Sequence, residues 1–199
     1  MILMLPTTLP GKLVTLEPLS MRHHDELVEA VLDGEAWKLW YTVVPSPESM
    51  RDEVARRLEL QKQGSMVPWI SRRNSDGMLL GMTTFMGVEP ELPRLEIGST
   101  WNRASASGTG TNVDAKLLLL THAFEVLGCP AVEFRTHWMN QVSRAAIERL
   151  GAKLDGVLRS HRRMADGSLR DTCVYSIIES EWSQVRSGLE FRLAKHLSS

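Results

Sequence analysis

Cysteine is scarce in this sequence, which contains only Cys129 and Cys173 among its 199 residues. Two cysteines cannot build the disulfide framework that stabilises many small secreted domains. Both lie in apolar segments that resemble strands, and such a setting favours buried, reduced thiols. Cys and His also do not recur at the spacing of metal ligands, so we predict no metal site.

The sequence also lacks an excess of charge of either sign and any long hydrophobic run. Its formal net charge is −1, so overall electrostatics favour neither nucleic acid nor an acidic membrane as a partner. No apolar run approaches the roughly 20 residues that cross a bilayer, and the N-terminus lacks the basic region and cleavage site of a signal peptide. We therefore expect a soluble cytoplasmic protein with one domain over residues 1–199.

Hydrophobic periodicity predicts a mixed α/β fold with helices packed on a sheet. Strands are predicted at residues 12–18, as an edge strand, and at 67–72, 78–88, 92–101, 131–137, 153–160 and 169–178. Helices are predicted at residues 20–34, 46–63, 112–127, 141–150 and 180–197. The chain order is therefore strand, two helices, three strands, helix, strand, helix, two strands and a final helix.

The most informative segment is the turn between the strand at 92–101 and the long apolar helix after it. Two glycines one residue apart place unpartnered backbone N–H groups at a helix N-terminus, where the helix dipole favours a phosphate. The residues that would bind it are Gly108, Thr109, Gly110, Thr111 and Asn112. Val113 replaces the third small residue of a dinucleotide fingerprint, and no P-loop lysine follows. A simple helix cap is the alternative interpretation.

A second polar cluster follows about thirty residues later, at the start of the helix predicted at 141–150. It contains Asn140 and Ser143, and the step Leu150-Gly151-Ala152 ends that helix. Together with Glu96-Ile-Gly98, the glycine turn and the strand from Asp171 to Tyr175, this cluster resembles the GNAT acyl-CoA N-acyltransferases. Within them the sequence is similar to the RimJ/RimL-type branch, and the resemblance runs from about residue 12 to about residue 182.

The resemblance implies a GNAT fold, which is a mixed, mostly antiparallel sheet with splayed central strands, flanked by helices. It implies acetyl-CoA as cofactor, with the pantetheine arm in the gap between the splayed strands. The expected activity is acetyl transfer to a primary amine, either a protein or peptide N-terminus or a small amine, by direct attack in a ternary complex. A non-catalytic CoA-binding sensor of the same fold is the alternative, and the resemblance also suggests a homodimer.

The resemblance also assigns roles to the cofactor-contacting side chains. Asn140 would bond the pantetheine arm, or act only as a helix N-cap. Ser143 would lie near the cofactor sulfur as the proton donor to the departing thiolate. The family often has Gln or Arg at the first position of its phosphate loop, where this chain has Ser105. Arg103, two residues earlier, is the candidate replacement.

The general base and the acceptor pocket have less specific candidates. Glu96, on a strand that borders the gap, is the first candidate base, and Glu133 is the second; an ion pair between strands is the alternative role for Glu96. The hairpin position that we align with the base glutamate of the RimL type holds Arg163. Trp40, Tyr41 and Trp101 could line an acceptor pocket or cover the core.

Basic residues crowd the predicted hairpin of residues 153–178. These residues are Arg159, His161, Arg162, Arg163 and Arg170. They could be a solvated strand edge, since charge there discourages strand pairing, or a contact for an acidic acceptor. The near-zero net charge and the lack of interleaved aromatic residues argue against nucleic acid.

Overall fold

The computed structural model describes residues 6–87, 94–164 and 166–198. The strands are β1 (Leu9–Pro10), β2 (Val14–Pro18), β3 (Met66–Arg73), β4 (Leu79–Met86), β5 (Leu95–Asn102), β6 (Ala131–His137), β7 (Lys153–Arg163) and β8 (Leu169–Ile178). The α-helices are α1 (His24–Leu32), α2 (Met50–Lys62), α3 (Thr111–Thr121), α4 (Gln141–Arg149) and α5 (Glu179–Leu197). A π-helical turn over His122–Val126 continues α3.

All eight strands form one sheet in the order β1-β2-β3-β4-β5-β6-β8-β7. Every neighbouring pair is antiparallel except β5 and β6, which are parallel. The predicted mixed, mostly antiparallel sheet flanked by helices is therefore confirmed. No helix in the described part of the chain is long and apolar enough to cross a membrane.

Two hydrophobic clusters cover the sheet. The larger cluster joins α3, α4 and α5 to the strands, through residues such as Leu119, Ile147 and Leu189. The second cluster joins α1 and α2 to β3, β4 and β5, through residues such as Leu27 and Val54. Because strand side chains alternate between faces, β3, β4 and β5 each contribute residues to both clusters.

Several element boundaries differ from those expected. The strand predicted as an edge at residues 12–18 is β2, and β1 lies outside it because Leu9 pairs with Leu16. The second helix begins at Met50 because the backbone N–H groups of Ser46 and Ser49 each bond the other residue's hydroxyl and hold a turn. Strand β7 runs on to Arg163. Residues 88 and 92–93 of the predicted strands lie outside the described residues.

The sheet divides between β5 and β6. These strands pair only at their first residues, Leu95 with Val132 and Glu96 with Glu133. Beyond that point β6 continues along β8 as far as His137, whereas the rest of β5 pairs only with β4 among the described strands. The central strands are therefore splayed, and one edge of β5 from Ile97 onward faces a gap.

Candidate active site

A β-bulge shapes β5 where it borders the gap. The pairing of β4 with β5 shifts between Met82 and Thr84, and Ser99 has a φ of 45°, a left-handed conformation that costs energy in a residue with a side chain. The buried Arg57 of α2 stabilises this bulge. Its guanidinium donates to the Ser99 carbonyl at 3.2 Å and to the Thr84 hydroxyl at 2.7 Å. Sequence reasoning missed Arg57, because nothing in an amphipathic helix distinguishes one arginine from its neighbours.

The predicted phosphate loop follows β5 directly. Gly108 and Gly110 have φ values of 76° and 82°, and Gly110 is the N-cap of α3. The hydroxyl of Thr109 donates to the Ala106 carbonyl at 2.7 Å and lies 2.8 Å from the hydroxyl of Thr111. These side chains thus brace the loop from inside. The backbone N–H groups of residues 108–112 have no hydrogen-bond acceptor among the described residues.

The two glycines of this loop differ in what surrounds them. A Cβ added at Gly108 would meet no atom within 4 Å, so this side of the loop is open. A Cβ at Gly110 would come within 2.6 Å of the His196 ring in α5. The C-terminal helix therefore packs against the loop from behind, and the open side at Gly108 is where a ligand could approach the backbone.

Arg103 is not positioned as expected. It is 8% exposed, its Nε donates to the Leu79 carbonyl at 2.7 Å, and its Nη2 pairs with Glu29 at 2.9 Å. Its guanidinium therefore fastens the end of β5 to β4 and α1, and we withdraw it as a phosphate contact. The Ser105 hydroxyl donates to Asp33 at 2.5 Å, so the side chain at this position of the loop also has a partner within the protein.

Asn140 and Ser143 begin α4 directly after β6. The Asn140 side-chain oxygen accepts from the Ser143 backbone N–H at 3.0 Å, so Asn140 is an N-cap. This bond uses the oxygen of the amide and leaves its Nδ2 donor for another partner. The Ser143 hydroxyl has no role in the cap. The next residue, Arg144, donates to the Tyr175 hydroxyl at 3.1 Å and stacks on Trp138.

Glu96 lies at the point where β5 and β6 separate. Its side chain is 16% exposed, and one oxygen is 3.7 Å from Arg135. Burial raises the pKa of this carboxyl above its usual value; the nearby Glu133 raises the pKa further, while Arg135, Arg162 and Arg170 oppose the shift. A partly buried carboxyl with a raised pKa is a suitable proton acceptor near neutral pH.

Glu133, the second candidate base, has a different environment. It lies directly opposite Glu96 on β6. One of its oxygens accepts from Arg94 at 2.5 Å and the other from Arg135 at 2.8 Å. Because both oxygens are held by guanidinium groups, Glu133 is the less suitable proton acceptor, and the geometry favours Glu96.

The aromatic residues expected at an acceptor pocket separate into two groups. Trp40 is 57% exposed and makes edge-to-face contacts with Tyr41 at 5.5 Å and with His137 at 5.4 Å. These contacts bring the loop after α1 to the end of β6. Trp101 instead is 6% exposed and belongs to the second hydrophobic cluster. It is a core residue, and we withdraw it as an acceptor contact.

His137 was not identified from the sequence. Its Nδ1 accepts from the Met139 backbone N–H at 3.0 Å, which places the proton of the neutral ring on Nε2. Burial and the neighbouring Arg170 lower its pKa, against the effect of Asp171. Its position at the end of a predicted strand was the only signal in the sequence.

A buried lysine lies beneath the bulge, on the opposite face from Arg57. Lys116 of α3 is 6% exposed, and its ammonium donates to the hydroxyls of Thr100 at 2.9 Å and Thr83 at 3.3 Å. It forms no ion pair with any carboxylate of the described residues. Burial without a counterion lowers its pKa to about 7.

Comparison with known proteins gives a consistent picture. Residues 14–153 match the family described as acetyltransferase (GNAT) domain. An acetyltransferase structure from T. thermophilus is 36% identical with a TM-score of 0.82, covering 95% of this chain and 98% of that one. Mycobacterium smegmatis RimJ, in complex with CoA-disulfide, is 22% identical and shares the fold with a TM-score of 0.79, covering 94% and 95% of the two chains.

One curated relative matches in sequence. The chain is 32% identical over 107 residues to YdaF of Bacillus subtilis (strain 168), which is named as a ribosomal N-acetyltransferase. That alignment covers 54% of this chain and 57% of YdaF, so the chain spans little more than half of that relative. The family match itself extends from β2 to the start of β7. Because it covers most of the sequence, this chain belongs to the GNAT family of acetyltransferases.

Proposed function

We propose that this acetyltransferase uses acetyl-CoA and that its acceptor is the N-terminal amine of a protein or peptide. The observation that carries the proposal is the gap between β5 and β6, which has a partly buried carboxylate, Glu96, at its closed end. A row of free backbone N–H groups follows the other end of β5. One site can thus hold an extended phosphate-bearing ligand and accept a proton.

The residues present fit acetyl-CoA. The N–H groups of residues 108–112 would bind its diphosphate, aided by the α3 dipole. The free edge of β5 would bond the amides of an extended arm as a neighbouring strand does, and the Asn140 Nδ2 could donate to the same arm. When bound, acetyl-CoA supplies an acetyl group activated as a thioester and departs as a thiol.

An α-amine suits Glu96 as the base. Such an amine has a pKa of about 8, so an appreciable fraction is neutral at pH 7, whereas a lysine side chain near 10.4 is almost fully charged. Glu96 would take the proton that the amine loses on attack. Trp40, which contacts His137 at the end of β6, and its neighbour Tyr41 would contact the acceptor backbone. A small amine is the alternative acceptor and lacks this extended chain.

Cofactor binding can be tested at Gly108. Replacing Gly108 by valine should raise the Kd for acetyl-CoA at least 100-fold, since a side chain on the open face of the loop would block approach to its N–H groups. Isothermal titration measures the affinity. Thermal melting with acetyl-CoA, CoA and NAD gives a second readout, because a specific ligand at 100 times its Kd stabilises by about 2.7 kcal/mol.

Gly128 provides the matched control. Gly128 also has a positive φ, 66°, and a Cβ added there would meet no atom within 4 Å. It lies beyond the C-terminal end of α3, so roughly 24 Å of helix, at 1.5 Å per residue, separates it from the loop. Gly128→Val should carry the same backbone strain and keep acetyl-CoA affinity. Unchanged affinity in Gly108→Val would remove the loop from the site. Binding without thiol release on any peptide or small amine would indicate a CoA sensor.

Ser143 can be tested without disturbing the cap. Because the cap uses the Ser143 backbone N–H, alanine preserves it and removes only the hydroxyl. We expect Ser143→Ala to lower kcat by about 100-fold, the usual effect of losing a general acid, with little change in acetyl-CoA affinity. Asn140→Ala, which removes the cap, should instead lower thermal stability. Equal turnover in Ser143→Ala would exclude the hydroxyl from the reaction.

A further inference from the structure

The face of the sheet beyond Glu96 carries a row of basic side chains. Glu96 lies opposite Glu133, and Arg135 follows two residues later on the same face of β6. His137 lies opposite Thr172 on β8, and Arg170, two residues away, lies opposite Arg162 on β7. Since alternate residues of a strand share a face, these side chains share the face on which Glu96 lies.

This face lies outside the part of the sheet that α1 and α2 cover. Their hydrophobic cluster contains residues of β3, β4 and β5, and none of β6, β7 or β8 within the described chain. The loop with Trp40 reaches only the end of β6, at His137. The region between Glu96 and the β7–β8 hairpin is therefore a surface on which an acceptor chain could lie.

Positive charge on this surface exceeds negative charge. Three carboxylates border this surface. Glu133 pairs with Arg94 and Arg135, Glu96 pairs with Arg135, and Asp155 accepts a hydrogen bond from the Ser176 hydroxyl at 3.0 Å. The four arginines Arg94, Arg135, Arg162 and Arg170 still outnumber them. Arg162 and Arg170 form no ion pair with any described residue, and Arg170 has only a 3.1 Å bond to the Thr172 hydroxyl. The formal net charge of the whole chain is −1, so this local excess is not a general property of the sequence.

Burial makes the charge of Arg170 less favourable than that of Arg162. Its side chain is half-buried, and burial together with Arg162 lowers its pKa, while Glu96 acts in the opposite direction. A partly desolvated guanidinium beside another one is unfavourable unless an anion approaches. Arg162 and Arg170 also favour the ionised form of Glu96, so the three groups interact electrostatically across this face.

We infer that the acceptor of this enzyme is an acidic N-terminus, with its α-amine at Glu96 and a carboxylate of its first residues bound by Arg162 and Arg170. An extended peptide advances about 3.3–3.6 Å per residue, so its second to fourth side chains would run from Glu96 along this face toward the two arginines. This inference rests on the proposed function, because it takes Glu96 to mark the end where the amine lies.

Peptides that differ only in charge test the inference. They share an N-terminal serine and carry glutamate, glutamine or lysine at positions two to four. We expect kcat/KM for the acidic peptide to exceed that for the neutral peptide at least tenfold, mainly through KM, and to fall with added salt because these charges are partly exposed. The lysine peptide should be the poorest substrate.

Three variants locate the effect. The quantity compared is kcat/KM for the acidic peptide divided by kcat/KM for the neutral peptide. Arg162→Glu and Arg170→Gln should each reduce this ratio about tenfold without changing acetyl-CoA affinity. Arg163→Glu is the matched control: it makes the same charge change on the next residue, whose side chain lies on the other face and donates to the Gly167 carbonyl. Arg163→Glu should change this ratio by less than about twofold, because an exposed charge outside the binding site contributes little.

Each contrary outcome has a separate meaning. Equal kcat/KM for the three peptides in an active enzyme would overturn the acidic acceptor and leave N-terminal acetylation standing. An equal loss in Arg163→Glu would show a general charge effect and overturn the assigned contacts. Acetyl-CoA binding with no acetylation of any peptide would overturn both proposals. A single-stranded RNA that binds, and loses binding in Arg162→Glu, with no peptide charge preference, would make the surface a nucleic-acid site.

Discussion

Replacing Glu96 by glutamine should lower kcat for peptide acetylation about 100-fold near neutral pH, because glutamine keeps the shape of the side chain but cannot take a proton. In the unmodified enzyme the rate should rise with pH in two steps. The first is ionisation of Glu96, whose pKa burial raises, and the second is deprotonation of the acceptor amine near pH 8. Glu96→Gln should lose the first step and keep the second. The measurement is kcat between pH 5.5 and 9 at saturating peptide.

Folding is not expected to explain this loss. A carboxyl with a raised folded pKa contributes stability that is fully present below its unfolded pKa and is lost as the pH rises through the folded pKa. Glu96 therefore disfavours the folded state when it is ionised, and glutamine removes that effect. Glu96→Gln should be at least as stable as the unmodified protein at pH 7, as urea unfolding can show.

Glu133 supplies the control for Glu96. The change Glu133→Gln removes one carboxylate from the opposite position of the neighbouring strand and should leave both steps of the pH profile. If Glu133→Gln instead removes the first step, Glu133 is the base. If Glu96→Gln keeps both steps of the pH profile, the Glu96 carboxylate does not take part in the reaction.

Replacing Lys116 by methionine should stabilise the protein by about 4 kcal/mol at pH 7. Burial lowers the lysine pKa from 10.5 to about 7, and each unit of pKa corresponds to about 1.4 kcal/mol between the charged and neutral forms. Methionine has a similar length and no charge to desolvate. Thr83 and Thr100, which lose the ammonium, remain 2.9 Å apart and bonded to each other.

The pH dependence gives a sharper test of the same lysine. Because the folded pKa is lowered, the folded state binds fewer protons than the unfolded chain between pH 7 and 10.5, so stability rises with pH across that window. The rise should approach 1.4 kcal/mol per pH unit. The useful range is pH 7 to 9, because the raised pKa of Cys129, about 11, removes stability above the ordinary thiol value of 9.0.

Urea unfolding at pH 7, 8 and 9 measures this slope. Lys116→Met should show nearly constant stability across the range. Lys62→Met, at an exposed position with its side chain 77% accessible, should retain the slope and change stability by less than about 0.5 kcal/mol. An unchanged slope in Lys116→Met would show that the buried lysine stays charged in the folded protein.

Elements with strong local signals could be read from the sequence. Strand 131–137 agrees with β6 residue for residue, since its alternating pattern is bounded by Pro130 and a polar cap. Helix α3 begins one residue before the predicted position because Gly110 supplies the left-handed N-cap. The glycine turn itself was predicted because glycine spacing and helix capping are local properties of a few neighbouring residues.

Besides the element boundaries, the predictions that the structure changes concern which partner a side chain meets in the fold. Arg103 was expected at a phosphate, but Glu29, 74 residues away in sequence, pairs with its guanidinium. Trp101 had two open roles, in an acceptor pocket or over the core, and its packing in the cluster with α1 and α2 makes it a core residue. The sequence offered no sign that Lys116 is buried, because one lysine in an apolar helix usually lies on a solvated face.

The sequence by itself determined the order of elements, the loop that begins α3, the polar cap of α4 and the family resemblance, because periodicity, glycine placement and capping act over a few residues. Tertiary structure decided the rest. It separates β5 from β6 after Glu96, buries that carboxylate, and brings Arg162 and Arg170 into its electrostatic range. The sequence suggested these residues separately, but charges that are distant in the sequence interact only after folding, so no local pattern could show that they belong to one site.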